Sequence, residues 1–183
     1  DHYIGLPQLL FYRRMRQKDR DRLPPLKVVG PAEDIQRVVD LSRALLQVER
    51  FPDDGCVPEV VPLAPGDALE TETLHVETCE TVHAVQGLCY RLTDRKTGSA
   101  LGISGDTAFH PPIADHLRGG SLIIHEAAHG ARSVRDAHRT GHSTASDAAR
   151  IAAEAGAGRL ALVHLRQGDR AAALGAAQEV FPG

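Results

Sequence analysis

Asp1 with His2, His83, Asp106 and His164 each stand at the end of a strand-like or helix-like stretch, and Glu126 and His142 lie on the loops around them. Imidazole and carboxylate without thiolate form the donor set of zinc, manganese or iron. Two such ions bridged by an aspartate make a hydrolytic centre, because they polarise a phosphoryl or carbonyl oxygen and bring the pKa of bound water down to about 7. The clearest carrier is the run from Ala100 to Thr107, where a small apolar stretch halts at Gly105, Asp106 and Thr107. Such a run reads as a buried strand that delivers a carboxylate to its end. Taken singly, each signal has a plainer reading: Gly-Asp-Thr is a common turn, and His83 and His164 suit hydrogen-bonded core histidines. His75, His110, His116, His129 and His138 read as surface residues.

Elements that position these residues can be read from periodicity. Ile4, Leu6, Leu9 and Leu10 recur at helical spacing just after Asp1 and His2, which places both at a helix N-terminus. Residues 13–22 then carry six cations and two aspartates, a solvated helix end or a phosphate-binding patch. Pro24 and Pro25 break the helix, and a short strand over 26–30 leads to an amphipathic helix over 33–50 with Ile35, Val38, Val39, Leu45 and Leu46 on one face. Strands are predicted over 57–63, 74–84, 88–93, up to Asp106, 121–126 and 159–165, with a polar turn at 94–98. Residues 130–141 read as a mobile loop. Ser143 and Thr144 cap a helix that carries Asp147 in its first turn and stops at Gly156, and a last helix covers 171–180.

With 183 residues and 42% hydrophobic content, the chain suits one globular α/β domain over 1–183. No apolar run approaches a membrane span, and no targeting segment is visible. Cys56, Cys79 and Cys89 are odd in number and never spaced as a Cys-x-x-Cys pair, which excludes a thiolate zinc site and points to a reducing cytoplasm. A net charge of −3 does not by itself advertise nucleic acid or membrane as a partner.

The order of these residues resembles the metallo-β-lactamase superfamily, and within it the ribonuclease Z branch. The stretch Asp1-His2-Tyr-Ile-Gly-Leu-Pro-Gln-Leu-Leu10 is similar to the end of that branch's His-x-His-x-Asp-His motif and the residues just after it. Val82-His83-Ala, Ser104-Gly-Asp106-Thr, His125-Glu-Ala-Ala128, His142-Ser-Thr144 and Leu162-Val-His164-Leu continue the likeness in order along almost the whole chain. The resemblance implies an αββα sandwich and two divalent ions, zinc with manganese or iron as alternatives. One ion would be held by Asp1, His2, Asp106 and His164, and the other by His83 with the bridging Asp106. Asp1, Glu126 and His142 would serve catalysis, with His142 protonating the leaving oxygen and Glu126 orienting it. It further implies a phosphodiester substrate, RNA and the processing of transfer RNA among the candidates, and a homodimer.

Two departures qualify the likeness. The His-x-His that precedes the Asp-His pair in the family is not in this sequence, so the domain is expected to be N-terminally incomplete and to lack the first strands of the sandwich. Only 22 residues separate His83 from Asp106, which leaves no room there for the protruding arm of short ribonucleases Z. Other superfamily hydrolases, acting on cyclic nucleotides, esters or lactones, and an inactive nucleic-acid-binding remnant are the alternatives.

Overall fold

A computed structural model describes residues 3–16, 26–51, 57–132 and 137–183. Asp1 and His2 lie outside the described residues, as does the basic cluster beyond Arg16. Two compact units emerge, residues 1–63 and 64–183.

In the first unit, α1 (Gly5–Met15) precedes β1 (Lys27–Pro31), α2 (Ile35–Leu45) and β2 (Glu59–Leu63). β1 and β2 pair in parallel from Lys27 opposite Glu59 to Pro31 opposite Leu63, and parallel neighbours need a crossover, which α2 supplies. Ile35, Val39 and Ser42 are its buried positions. The helix predicted to reach residue 50 ends earlier, because Gln47 adopts a left-handed φ of 51° and a separate turn comes next at Val48–Arg50. Leu45, predicted on the buried face, is 71% exposed.

The second unit holds one six-stranded sheet whose spatial order is its chain order: β3 (Ala68–Glu70), β4 (Leu74–Glu80), β5 (Leu88–Asp94), β6 (Ala100–Ile103), β7 (Leu122–Glu126) and β8 (Leu160–Val163). β3 to β6 form an antiparallel meander, and β6, β7 and β8 run parallel. Asp94 builds the predicted polar turn: its Oδ1 accepts the N–H groups of Lys96 and Thr97 and the Thr97 hydroxyl. These donors, the hydroxyl foremost, hold the Asp94 carboxyl below the usual range. The parallel half is connected through α3 (Pro112–His116), α4 (Ala137–Thr140) and α5 (Ala145–Ala155), and α6 (Arg170–Gln178) comes after β8.

Ile113, Leu117, Ile123, Ile151 and Cys89 form the main core of this unit. A second cluster of Ala127, Ala145, Ala149, Ala173 and Ala177 is made almost wholly of small side chains, which lets α5 and α6 approach closely. α5 matches its predicted limits. Thr144 Oγ1 accepts the Asp147 N–H while Asp147 Oδ2 accepts the Thr144 N–H, and Gly156 closes the helix at φ 62°. The predicted mobile loop is different. Its described part contains the α4 turn, residues 133–136 lie outside the described residues, and Gly130 and Gly141 bound it at positive φ. α3 and β3 were not predicted: five and three residues are too short for periodicity to register. Among the described residues, no helix is long and apolar enough to cross a membrane.

Candidate metal centre

Strand direction brings the chemistry to one edge. β4 and β6 both run antiparallel to β5, and β7 and β8 run parallel to β6, so the carboxyl ends of β4, β6, β7 and β8 share one edge of the sheet. His83 lies in the connection after β4, Asp106 in the one after β6, Glu126 at the end of β7, and His164 directly after β8. The carboxyl edge is where open α/β sheets place ligands, because the connecting loops leave a crevice there.

Thr107 ties these loops together. Fully buried, it donates its N–H to Glu126 Oε1 at 3.0 Å, receives the Val82 N–H on Oγ1 at 3.0 Å, and receives the Ser143 hydroxyl on its carbonyl at 2.7 Å. One residue thus fixes the loops that carry His83, Asp106 and His142. Gly105, the residue before Asp106, has φ 63°, and a Cβ there would lie 2.9 Å from the Leu88 carbonyl oxygen. The chain turns sharply at that point because glycine removes the obstacle.

His83 donates Nδ1–H to the Gly141 carbonyl at 2.9 Å, which leaves Nε2 as its lone-pair nitrogen. Glu126 is 1% exposed and its carboxylate accepts the Thr107 N–H, the Ala128 N–H at 2.8 Å and the His142 Nδ1–H at 2.8 Å. His142 therefore turns Nε2 away from Glu126. Its ring lies between two others, with centroids 5.0 Å from His83 and 5.2 Å from His164. His164 takes φ 59°, a left-handed conformation that costs a β-carbon-bearing residue energy and gathers at functional sites.

Two groups of donor atoms result, each with its members within 4.8 Å of one another: His83, Asp106 and His142, and Glu126, His142 and His164. The donor chemistry, imidazole nitrogen and carboxylate oxygen with the Nδ1 of His83 already committed to a carbonyl, fits a divalent ion. His142 belongs to both groups, whereas Asp106 and His164 do not share one among the described residues. Asp1 and His2 lie outside the described residues.

One residue read from sequence as a surface histidine belongs beside this site. His129 is half-buried, its ring centroid is 6.2 Å from that of His142, and its Nε2 bonds Thr140 Oγ1 at 2.7 Å. Burial first, and the Arg132 guanidinium second, push its pKa below the usual histidine value. His75, His110 and His116 are likewise partly buried, and the side chain of His138 lies outside the described residues. Only the count of ten histidines hinted that some would be structural or functional.

Residues 1–165 match the family described as the beta-lactamase superfamily domain. The whole chain aligns at 42% identity over 230 positions with 73% of the Ribonuclease Z of Ignicoccus hospitalis. The chain belongs to the ribonuclease Z-like branch of the metallo-β-lactamase superfamily. A second relative, the Ribonuclease Z of Halobacterium salinarum, is 42% identical over 72 residues, which is 39% of this chain and 23% of the relative's length. In three dimensions the chain is similar over its full length to 68% of the metallo-beta-lactamase fold protein YhfI from Bacillus subtilis, with a TM-score of 0.76 at 22% identity. That likeness bears on the fold, and the α/β arrangement of the ribonuclease Z-like chain agrees with it.

Proposed function

We propose that this chain is a metal-dependent phosphodiesterase that cleaves RNA, with His142 as the proton donor to the leaving oxygen and Glu126 as the group that orients it. The 2.8 Å bond from His142 Nδ1 to the buried Glu126 carboxylate carries this reading. A carboxylate on one ring nitrogen fixes the tautomer and raises the basicity of the other, which is what a proton carrier near neutral pH requires. Because Glu126 is itself held by the Thr107 and Ala128 N–H groups, the imidazole is oriented by a rigid partner.

His83, Asp106 and His164, with Asp1 and His2, would hold two divalent ions, zinc by its preference for such donors, and Asp1 would join the catalytic set. When bound, the ions supply Lewis acidity and a nucleophile at neutral pH. Everything else falls to the chain. His83 is aimed by its bond to Gly141, His142 gives its Nε2 proton to the departing alkoxide oxygen, and Thr107 keeps the contributing loops in register. The relatives named Ribonuclease Z support RNA as the substrate and transfer RNA processing as its setting. Between His83 and Asp106 lie the end of a loop, β5, a tight turn and β6, so any grip on a large RNA comes from other surfaces. A cytoplasmic location rests on the odd cysteine count, and a homodimer on family resemblance.

The test is His142→Ala in the purified chain loaded with zinc. RNA cleavage should fall at least 100-fold, the lower end of typical general acid contributions (about 10²–10⁴), while the bound metal stays at the unsubstituted level. Cleavage that survives the substitution defeats the proton-donor role. Metal lost together with activity would instead make His142 a ligand.

A further inference from the structure

A cavity of about 410 Å³ opens beside the site, lined by Ala128, His129, His142, His164, Leu165 and Arg166. His142 and His164 are part of the proposed centre, and Arg166, which also lines the cavity, is not. Arg166 is exposed, and its side chain makes no ion pair among the described residues. A guanidinium so placed has five donors available in a planar fork, the geometry that takes a phosphate through two parallel bonds.

Charge around the cavity points the same way. Arg132, whose Nε donates to the His129 carbonyl at 3.1 Å, adds a second cation close to His129, and Arg166 acts on the same imidazole. Glu126, which pairs with the lining His142, has its oxygens occupied by the Thr107 and Ala128 N–H groups and by His142, and Asp169, whose N–H bonds the Arg166 carbonyl, has its carboxylate beside Gly130. The residues that line the cavity thus offer imidazole and guanidinium groups to an incoming anion, and no carboxylate is among them. A single phosphate at the metal centre leaves the Arg166 guanidinium without a role, whereas a polymer of phosphodiesters brings a second phosphate to the same cavity.

We propose that Arg166 binds a phosphate of the RNA adjacent to the one being cleaved, and so selects oligonucleotides over small diesters. This rests on the phosphodiesterase reading and adds a residue to it. Arg166 touches no reacting atom: it positions the strand.

The experiment compares the unsubstituted chain with Arg166→Ala and Arg166→Lys, zinc-loaded, on a short single-stranded RNA and on bis(p-nitrophenyl) phosphate. Arg166→Ala should raise KM for the RNA about tenfold, equivalent to about 1.4 kcal/mol, with kcat within about twofold and a several-fold smaller loss on the small diester. Binding of the same RNA, measured by fluorescence anisotropy against salt, should lose about one unit of slope in log K against log salt, and Arg166→Lys should restore the slope but only part of the affinity. Equal losses on both substrates, or an unchanged slope, overturn the proposal. If the unsubstituted chain cleaves no RNA, the proposed activity fails, and the salt slope still decides whether Arg166 meets a phosphate.

Discussion

The Gly141 carbonyl oxygen sits 2.9 Å from Nδ1 of His83, and a Cβ on Gly141 would lie 2.8 Å from that same nitrogen. The loop that carries His142 thus aims His83 and can approach it only because residue 141 has no side chain. Gly141 also holds φ 72°, so alanine there meets backbone strain and a clash together. Gly141→Ala should cost about 1–3 kcal/mol of stability and turn His83 away from the site. Metal analysis and urea unfolding of the same preparation check this: zinc affinity should fall along with stability, and a variant that binds zinc normally would show that His83 is aimed by something else.

Glu126→Gln tests the orientation of His142 without changing its size. An amide has one acceptor oxygen where the carboxylate has two, yet three donors converge on it from Thr107, Ala128 and His142. One donor must then face an N–H group. With a buried group left unmatched, stability should fall by about 1–3 kcal/mol. The turnover number should drop about 100-fold, with KM and bound metal little changed. A drop in metal content as large as the drop in turnover would place Glu126 among the ligands.

Much of this was legible in the sequence, and the reasons differ by residue. Asp106 and His164 could be read because each ends an apolar run, and a strand end is the one place where a local pattern predicts exposure to a site. α5 could be read to the residue because Thr144, Asp147 and Gly156 write both of its caps locally. Thr107 could not: its role is set by partners at residues 82, 126 and 143, and no local pattern encodes contacts that distant. His129 and Arg166 were missed for the same reason, since a polar residue in a loop looks solvated until the fold shows what it faces.

His125 carries a pH dependence of stability. It is fully buried, donates Nδ1–H to the Glu126 carbonyl at 2.8 Å, and burial pushes its pKa below the usual 6.5. Because the unfolded chain takes up this proton near pH 6.5 and the folded chain resists it, the unfolded state binds more protons as pH falls. Stability should therefore be full above pH 6.5 and decline on acidification below it, with His116 and His129, also lowered by burial, adding the same sign. Urea unfolding at pH 7.5 and 5.5 measures the slope. His125→Asn should flatten it while leaving the part due to His116 and His129, and identical slopes in both proteins would sink the assignment.

His164 offers a separation of stability from function. A left-handed φ of 59° costs a residue with a β-carbon roughly 1–2 kcal/mol, and asparagine tolerates that region better than histidine does. The residue stands directly after β8, at the carboxyl edge where its ring meets that of His142. If the strained backbone is retained for the sake of the imidazole, His164→Asn should leave the metal-free chain as stable as before or more stable by up to about 1 kcal/mol, since the strain eases and no buried apolar surface is lost. Zinc content and RNA cleavage should both collapse. Urea unfolding without metal, paired with metal analysis after loading, reads the two effects independently. A metal-free variant destabilised by more than about 1 kcal/mol would mean that the ring's packing, and not ligand placement, holds this conformation.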